Sequence, residues 1–346
     1  MNFNKFLGLH EAGLLSPDQT EAFGDAVWSE GVAETGLPKN MDLRLHVAYS
    51  FPGGNKETID RQFRKTLFEK GLKPSLNGEI LAAVAGATQT TAGRNRSLAL
   101  DSKEALELWD AILAWKPRPT PLDLDGNDSA VKAFGGYVIT GAVMPFVRLN
   151  ELGNDRIDTF FSRIEEGGFP SLIFAVPSIL AIDAGRLKYG IGCIHKALFA
   201  RDDDSAVHAM NAISNWRIRS KTGDLDAVPL ELKQAVCTVV ETARWPSLPS
   251  ALDVVAKFVE DHGLAHDEME RIADGLARLR AETAYDAWDP ADRRTKTMTR
   301  VRVECVRLAH KLRNAGGIEH DAIDDWLTCV NADPIPEVRY ALERMV

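Results

Sequence analysis

Four cysteines in 346 residues are too few and too scattered to frame the fold with disulfides: Cys193, Cys237, Cys305 and Cys329 form no CxxC pair. Each falls in a segment with helical apolar spacing, which predicts buried free thiols in a reducing compartment. The self-identifying catalytic sequences are missing too: there is no GxxxxGK[ST], no GxGxxG after a strand, no GxSxG and no HExxH. No motif points to a cofactor, and none is expected. Positive charge is short, with 41 Lys and Arg against 50 Asp and Glu, a net charge of -9. That balance argues against a surface that is one electrostatic footprint for nucleic acid or anionic lipid. Long apolar runs are absent as well. The most apolar stretches, residues 138–147 and 171–182, each contain a proline and fall short of the roughly 20 residues a spanning helix needs. The opening MNFNKFLGLHEAGLL has no basic start followed by a continuous apolar stretch, so neither export nor a membrane partner is expected and the compartment is read as cytoplasmic.

What is present is an ordinary globular balance, 45% hydrophobic and 26% charged, enough for one large domain or two average ones. Ser16, Pro17 and Gln19 make a helix start with hydroxyl cap, first-turn proline and an amide three residues after the cap, for a helix running to about Glu30. From Leu43 to Phe51 the pattern changes to strict alternation, the period of a strand, with no partner strand in view. Helices are predicted over roughly 57–70, 78–88, 103–115 and 129–149. The Pro-, Asp- and Gly-rich stretch 117–128 reads as a loop and a domain boundary, dividing an N-terminal region, 1–120, from a second region, 129–346. Beyond residue 150, amphipathic segments begin near residues 155, 171, 185, 204, 229, 248, 266, 297, 318 and 334. Leu187, Ile191, Ile194 and Leu198 form one stripe; Leu232, Val236, Val239 and Ala243 a second; Met269, Ile272, Leu276 and Leu279 a third. The predicted fold class is mainly all-α, an α-solenoid of stacked antiparallel helix pairs behind a less regular N-terminal region.

Two segments carry a family resemblance. Asp202, Val207, His208, Ala209 and Ile213 form one; Asp333, Pro334, Pro336, Val338, Arg339 and Ala341 form the other. Both resemble the HEAT-type repeat motif, in which an Asp precedes an inward-facing Val, a basic residue and small apolar positions. The resemblance covers at most residues 155–346 and implies pairing of the Asp and the basic residue between neighbouring repeats; His208 departs from that pattern. Separately, LLSPDQTEAFGDAVWSE followed by Gly36, Leu37 and Pro38 is similar to helical regions fused to sirtuin-like effectors in bacterial anti-phage proteins. That likeness implies a stand-alone sensor, scaffold or inhibitory partner in a defence complex.

The search for chemistry returns one extended feature. On the segment from Arg293 to Arg313, Met298, Val301, Cys305, Leu308 and Leu312 step by three and four as an apolar stripe. Arg293, Lys296, Arg300, Arg307 and Lys311 fall on another face, broken by Glu304. In an acidic chain, such a face is a contact surface for phosphates or an acidic protein, or a solvated face neutralised by Glu319, Asp321, Asp324 and Asp325 of the next helix. A smaller group, Trp216, Arg217, Arg219 and Lys221, combines an aromatic with cations, although Trp216 also extends the core stripe of Ala209 and Ile213. His262 and His266 have the spacing of one helical turn for Zn²⁺, but Gly263 reads as a helix end that would splay them. Cys193 and His195, two apart on a helix, point to different sides. Acidic runs at helix starts, such as Asp202 to Asp204, are explained by the helix dipole. The expectation is therefore a protein-binding module with no catalytic residues assigned. The alternative is a nucleic-acid-binding or nucleic-acid-processing HEAT-like protein that uses the basic helix, since the HEAT-type repeats that these segments resemble also occur in some base-excision glycosylases.

Overall fold

The computed structural model describes residue 16 and residues 102–114, 135–289, 291, 292 and 294–343; these are mainly helical, with no strand among them. The alternating segment 43–51, the helices expected after Ser16, at 57–70 and at 78–88, and the loop 117–128 all lie outside the described residues. The chain divides into two compact units, Met1–Asp183 and Ala184–Val346.

In the first unit, α1 (Ser102–Ala114) buries Ala105, Leu108, Trp109, Ile112 and Leu113, positions that recur along one helical face. Its Trp109 ring lies 5.6 Å from that of Phe160 on α3 (Asn154–Glu166). The two helices are also clamped by a bidentate pair, Arg156 Nε and Nη2 donating to the Asp110 carboxylate at 2.7 and 2.8 Å. The continuous helix predicted to reach residue 149 does not form. The backbone widens to a π turn at Ile139–Val143, tightens to 3-10 geometry at Met144–Phe146, and is extended at Val147 before the one-turn α2 (Leu149–Leu152). Pro145 is the cause: it has no N–H to donate, and its ring occupies the space of the carbonyl four residues back. Residues 170–180 likewise split into a 3-10 stretch, Pro170–Ala175, and the short α4, Val176–Leu180. Gly136 is required where this stretch crosses, since a Cβ there would sit 1.7 Å from the Ser171 carbonyl oxygen.

The second unit contains α5 (Leu187–Leu198), α6 (Asp203–Thr222), α7 (Leu230–Glu241), α8 (Leu248–Glu260), α9 (His266–Glu282), α10 (Thr295–Asn314), α11 (Asp321–Thr328) and α12 (Pro336–Arg339). These starts fall within a few residues of those read from periodicity. Caps fix several of them. The Asp202 carboxylate accepts the Ser205 N–H at 2.7 Å to open α6, and Gly223 closes it in the left-handed region at φ 81. The stripes on α7 and α9 are buried apart from half-buried Met269, while on α5 Ile194 and Leu198 are buried and Leu187 and Ile191 are half-exposed. Helix α5 packs on α6 and α7, and α6 on α8. Helix α7 packs on α8 and α9; α8 and α9 both pack on α10, and α9 also reaches α11. Helix α10 closes against α11 and α12.

Two expectations from the sequence are corrected here. Cys237 and Cys305 are buried thiols, but Cys193 is half-buried and Cys329, past the last turn of α11, is exposed. In the first HEAT-like segment Val207 is half-buried and Ala206, Ala209 and Met210 take the inward positions; in the second, Val338 does face the core.

Candidate interaction surface

The apolar stripe that the spacing of α10 predicts is buried, and burial extends beyond it to Arg302, Glu304, Val306 and Ala309. Met298, Val301, Cys305, Leu308 and Leu312 are all buried. On the other face Arg300 is exposed, while Arg307 and Lys311 are held by carboxylates. Arg307 Nη1 lies 3.0 Å from Glu304 Oε1 on the same helix, and its Nε donates to the Ala341 carbonyl at 3.3 Å. Lys311 Nζ pairs with Glu260 at the end of α8. The neutralising groups are thus Glu304 and Glu260, whereas of the carboxylates expected from the next helix Asp324 pairs with Arg313. Arg300 makes no ion pair with a described residue. Arg293 lies outside the described residues, as does the side chain of Lys296. Burial pushes the Glu304 carboxyl above its usual range, against the pull of Arg307 and Arg300 and with a push from Asp253 on α8.

The second predicted group separates. Trp216 is 1% exposed, continues the Ala209 and Ile213 stripe, and donates Nε1–H to the Asp226 carbonyl at 3.0 Å, so its ring is core rather than a stacking platform. Arg217 and Lys221 both reach Asp261, each at 2.8 Å, tying the end of α6 to the end of α8. Burial disfavours the Asp261 charge, but hydrogen bonds from Lys221 and Arg217 outweigh it and hold the carboxyl below its usual range. Arg219 turns to Asp224, 3.4 Å away in the following loop.

The neighbouring sites read from sequence come apart in the same way. His262, rather than Gly263, takes the left-handed backbone after α8, at φ 51, whereas His266 opens α9 with Nε2 3.6 Å from Glu270. The Gly263 carbonyl instead accepts from Lys233 Nζ at 3.1 Å. The His195 ring packs against Phe199, centroids 5.1 Å apart.

Sequence reading missed the most elaborate polar cluster. Arg302 Nη2 lies 2.5 Å from Asp333 Oδ2, with the two side chains only 11% and 3% exposed. Its Nη1 donates to the Thr283 carbonyl at 3.1 Å, and its guanidinium lies 4.6 Å from the Tyr285 ring centroid and 5.2 Å from that of Trp326. The Tyr285 hydroxyl donates to Asp333 Oδ1, which also accepts the Ile335 N–H at 3.0 Å. Burial works against the Asp333 charge, but Tyr285 and Arg302 hold its carboxyl below the usual range; burial and the same hydrogen bond push the Tyr285 phenol up to about 12. One signal was available. Arg302 stands four residues after Met298 and three before Cys305, on the buried side of the helix, where an arginine requires a partner. Arg302 belongs to neither of the two HEAT-like segments, and the basic residue of the second, Arg339, turns instead to the carbonyls of Asp333 and Pro334.

Cations across the second unit serve the same end. Arg244 donates to the Ala200 carbonyl at 2.8 Å with its guanidinium 5.5 Å from the Phe199 centroid; Arg278 donates to the Glu241 carbonyl, and Arg280 to that of Asp325 at 3.1 Å. Each joins one helix, or the loop after it, to another element through a charge-assisted bond.

The described fold is thus a mainly helical one whose basic side chains largely join its own elements. No protein-family model matches the chain, and neither a curated protein nor a solved structure matches it. Among the described residues no helix is long and apolar enough to cross a membrane.

Proposed function

We propose that this chain is a HEAT-like helical-repeat protein, an α-solenoid over its second unit, and that it works as a protein-binding module: a scaffold, sensor or inhibitory subunit. The observation that carries this reading is the packing of each helix on the next but one. Helices α5, α7, α9 and α11 follow one another in one row, and α6, α8, α10 and α12 in a second. A two-row stack of this kind offers the outer face of a row to a partner, which is how repeat arrays bind. Membership of a bacterial anti-phage complex is a narrower form of the same proposal and rests on the N-terminal likeness alone. The cytoplasm is the compartment proposed with it.

The phosphate-binding alternative draws less support from the geometry, because Arg307 and Lys311 already face Glu304 and Glu260, and Arg217 and Arg219 face Asp261 and Asp224. The test is purification of the tagged chain from the cells that encode it after cross-linking, beside a variant carrying Arg300→Glu and Arg307→Glu. The expected result is a stoichiometric protein whose cross-links fall on the α6, α8 and α10 row and whose yield drops in the variant. A protein-free eluate holding nuclease-sensitive nucleic acid would overturn the proposal. DNA binding that falls steeply with salt and vanishes in the same variant would then assign α10 to phosphate contact.

A further inference from the structure

The slot around Arg302 has the composition of a receptor, and its walls stand without the carboxylate that fills it. Arg302 is positioned by the Thr283 carbonyl and hydroxyl, at 3.1 and 3.4 Å. Trp326 is fixed by its Nε1–H to the Leu276 carbonyl at 3.0 Å, and Arg280 covers it at 5.5 Å while donating to the Asp325 carbonyl. Trp288 packs on Tyr285, centroids 4.9 Å apart, and donates to the Thr283 carbonyl at 3.0 Å. A guanidinium and a phenol O–H, walled by aromatic rings, are thereby aimed at one point.

The group at that point is Asp333, within a segment that keeps its own shape. Asp333 Oδ1 accepts the Ile335 N–H, and Arg339 Nη1 folds back onto the carbonyls of Asp333 and Pro334, at 2.6 and 3.1 Å. Pro334 and Pro336 preset the backbone on either side of Ile335. Among the described residues few bonds join segment to slot: the Arg302 and Tyr285 bonds to Asp333, the Arg307 bond to the Ala341 carbonyl, and the buried side chains of Val330, Val338 and Ala341. A short segment held by so few bonds belongs to the low end of local stability.

We propose that the Arg302 slot is a recognition site for an Asp-Pro peptide, and that residues 330–343 are a self-supplied ligand which a partner's acidic, proline-flanked segment displaces. The inference deepens the protein-binding reading and rests on it, naming the chemistry of one partner segment. A carboxylate suits the slot because it accepts from the fork of Arg302 and from Tyr285 at once. A proline after it keeps the entropy lost on docking small.

The test uses the full chain and a fluorescent peptide of residues 330–343, VNADPIPEVRYALE. In the Asp333→Ala variant, amide exchange over 338–341 should rise about tenfold or more while α8 and α9 keep their protection. The labelled peptide should bind that variant, bind about tenfold more weakly when it carries Asn in place of its Asp, and fail to bind once Arg302→Met is added. Exchange rising throughout α9, α10 and α11, or no binding of the peptide to folded Asp333→Ala, would overturn the proposal. Should that variant not fold, the wild-type chain decides. Exchange at 338–341 that is independent of low urea and faster than in α10 supports a detachable ligand, whereas exchange that tracks α10 refutes it. Neither failure bears on a partner found cross-linked to the α6, α8 and α10 row, so the two readings fail separately.

Discussion

Replacing a glycine by alanine should have opposite effects in α9 and α5, and the difference isolates the contact on which stacking depends. Gly275 lies in the middle of α9, where a Cβ would stand 3.2 Å from both the Glu241 Cα and the Val240 carbonyl oxygen of α7. Gly192 lies in the middle of α5, and a Cβ there meets nothing within 4 Å. Helix propensity favours alanine by about 0.8–1.0 kcal/mol at each position and cancels in the comparison. What remains is the cost of pushing two backbones apart, about 1–3 kcal/mol for overpacking against atoms that cannot rotate away. Gly192→Ala should therefore stabilise by a few tenths to about 1 kcal/mol. Gly275→Ala should be neutral to destabilising by about 2 kcal/mol, leaving the variants 1–3 kcal/mol apart. Urea unfolding followed by circular dichroism, with equal slopes for both variants, measures the difference. If Gly275→Ala stabilises as much as Gly192→Ala, the approach of α9 to α7 is not tight and the packing argument is wrong.

Thiol chemistry and acid provide two further checks. In the native chain Cys329 should react first with a disulfide reagent, while Cys237, buried and with its thiol pushed up to about 12, and Cys305, fully buried, should react only on unfolding. Rapid reaction of all four thiols in the folded protein would contradict the burial described. The charged joints should fail in acid, because Asp261 and Asp333 are held below the usual carboxylate range. Their contribution is complete above the unfolded value near pH 4 and is lost as pH falls through the lower folded value. Glu304 has the opposite sign: its raised carboxyl contributes most below the unfolded value and loses that contribution as pH rises through the folded one. Glu304→Gln should therefore gain stability relative to wild type on going from pH 4 to pH 7, read as urea midpoints; an equal difference at both values would refute the assignment.

The helices of the second unit were legible because an amphipathic helix states its own period. Leu232, Val236 and Val239, or Met298, Val301 and Cys305, identify a buried face whatever that face meets. The carboxylates at Asp202 to Asp204, read as a helix start, were equally local. The basic face of α10 was legible as a pattern of residue types, but its electrostatic meaning was not. Whether Lys311 offers charge to a partner depends on Glu260, fifty-one residues earlier and beside it only once α8 and α10 pack.

Tertiary structure alone decided the remainder. Local spacing made Trp216 both a core residue and a stacking platform, until its place in the core and its bond to Asp226 settled its burial. Pro145 stood inside a helix expected to run to residue 149, and the π turn ahead of it became visible only in the folded backbone. Arg302, passed over as one cation among many, finds Asp333 and Tyr285 through contacts between elements distant in sequence. Period, caps and composition are properties of neighbouring residues and so belong to the sequence; pairing of charges belongs to the fold, because Coulomb attraction and desolvation depend on distances that packing sets.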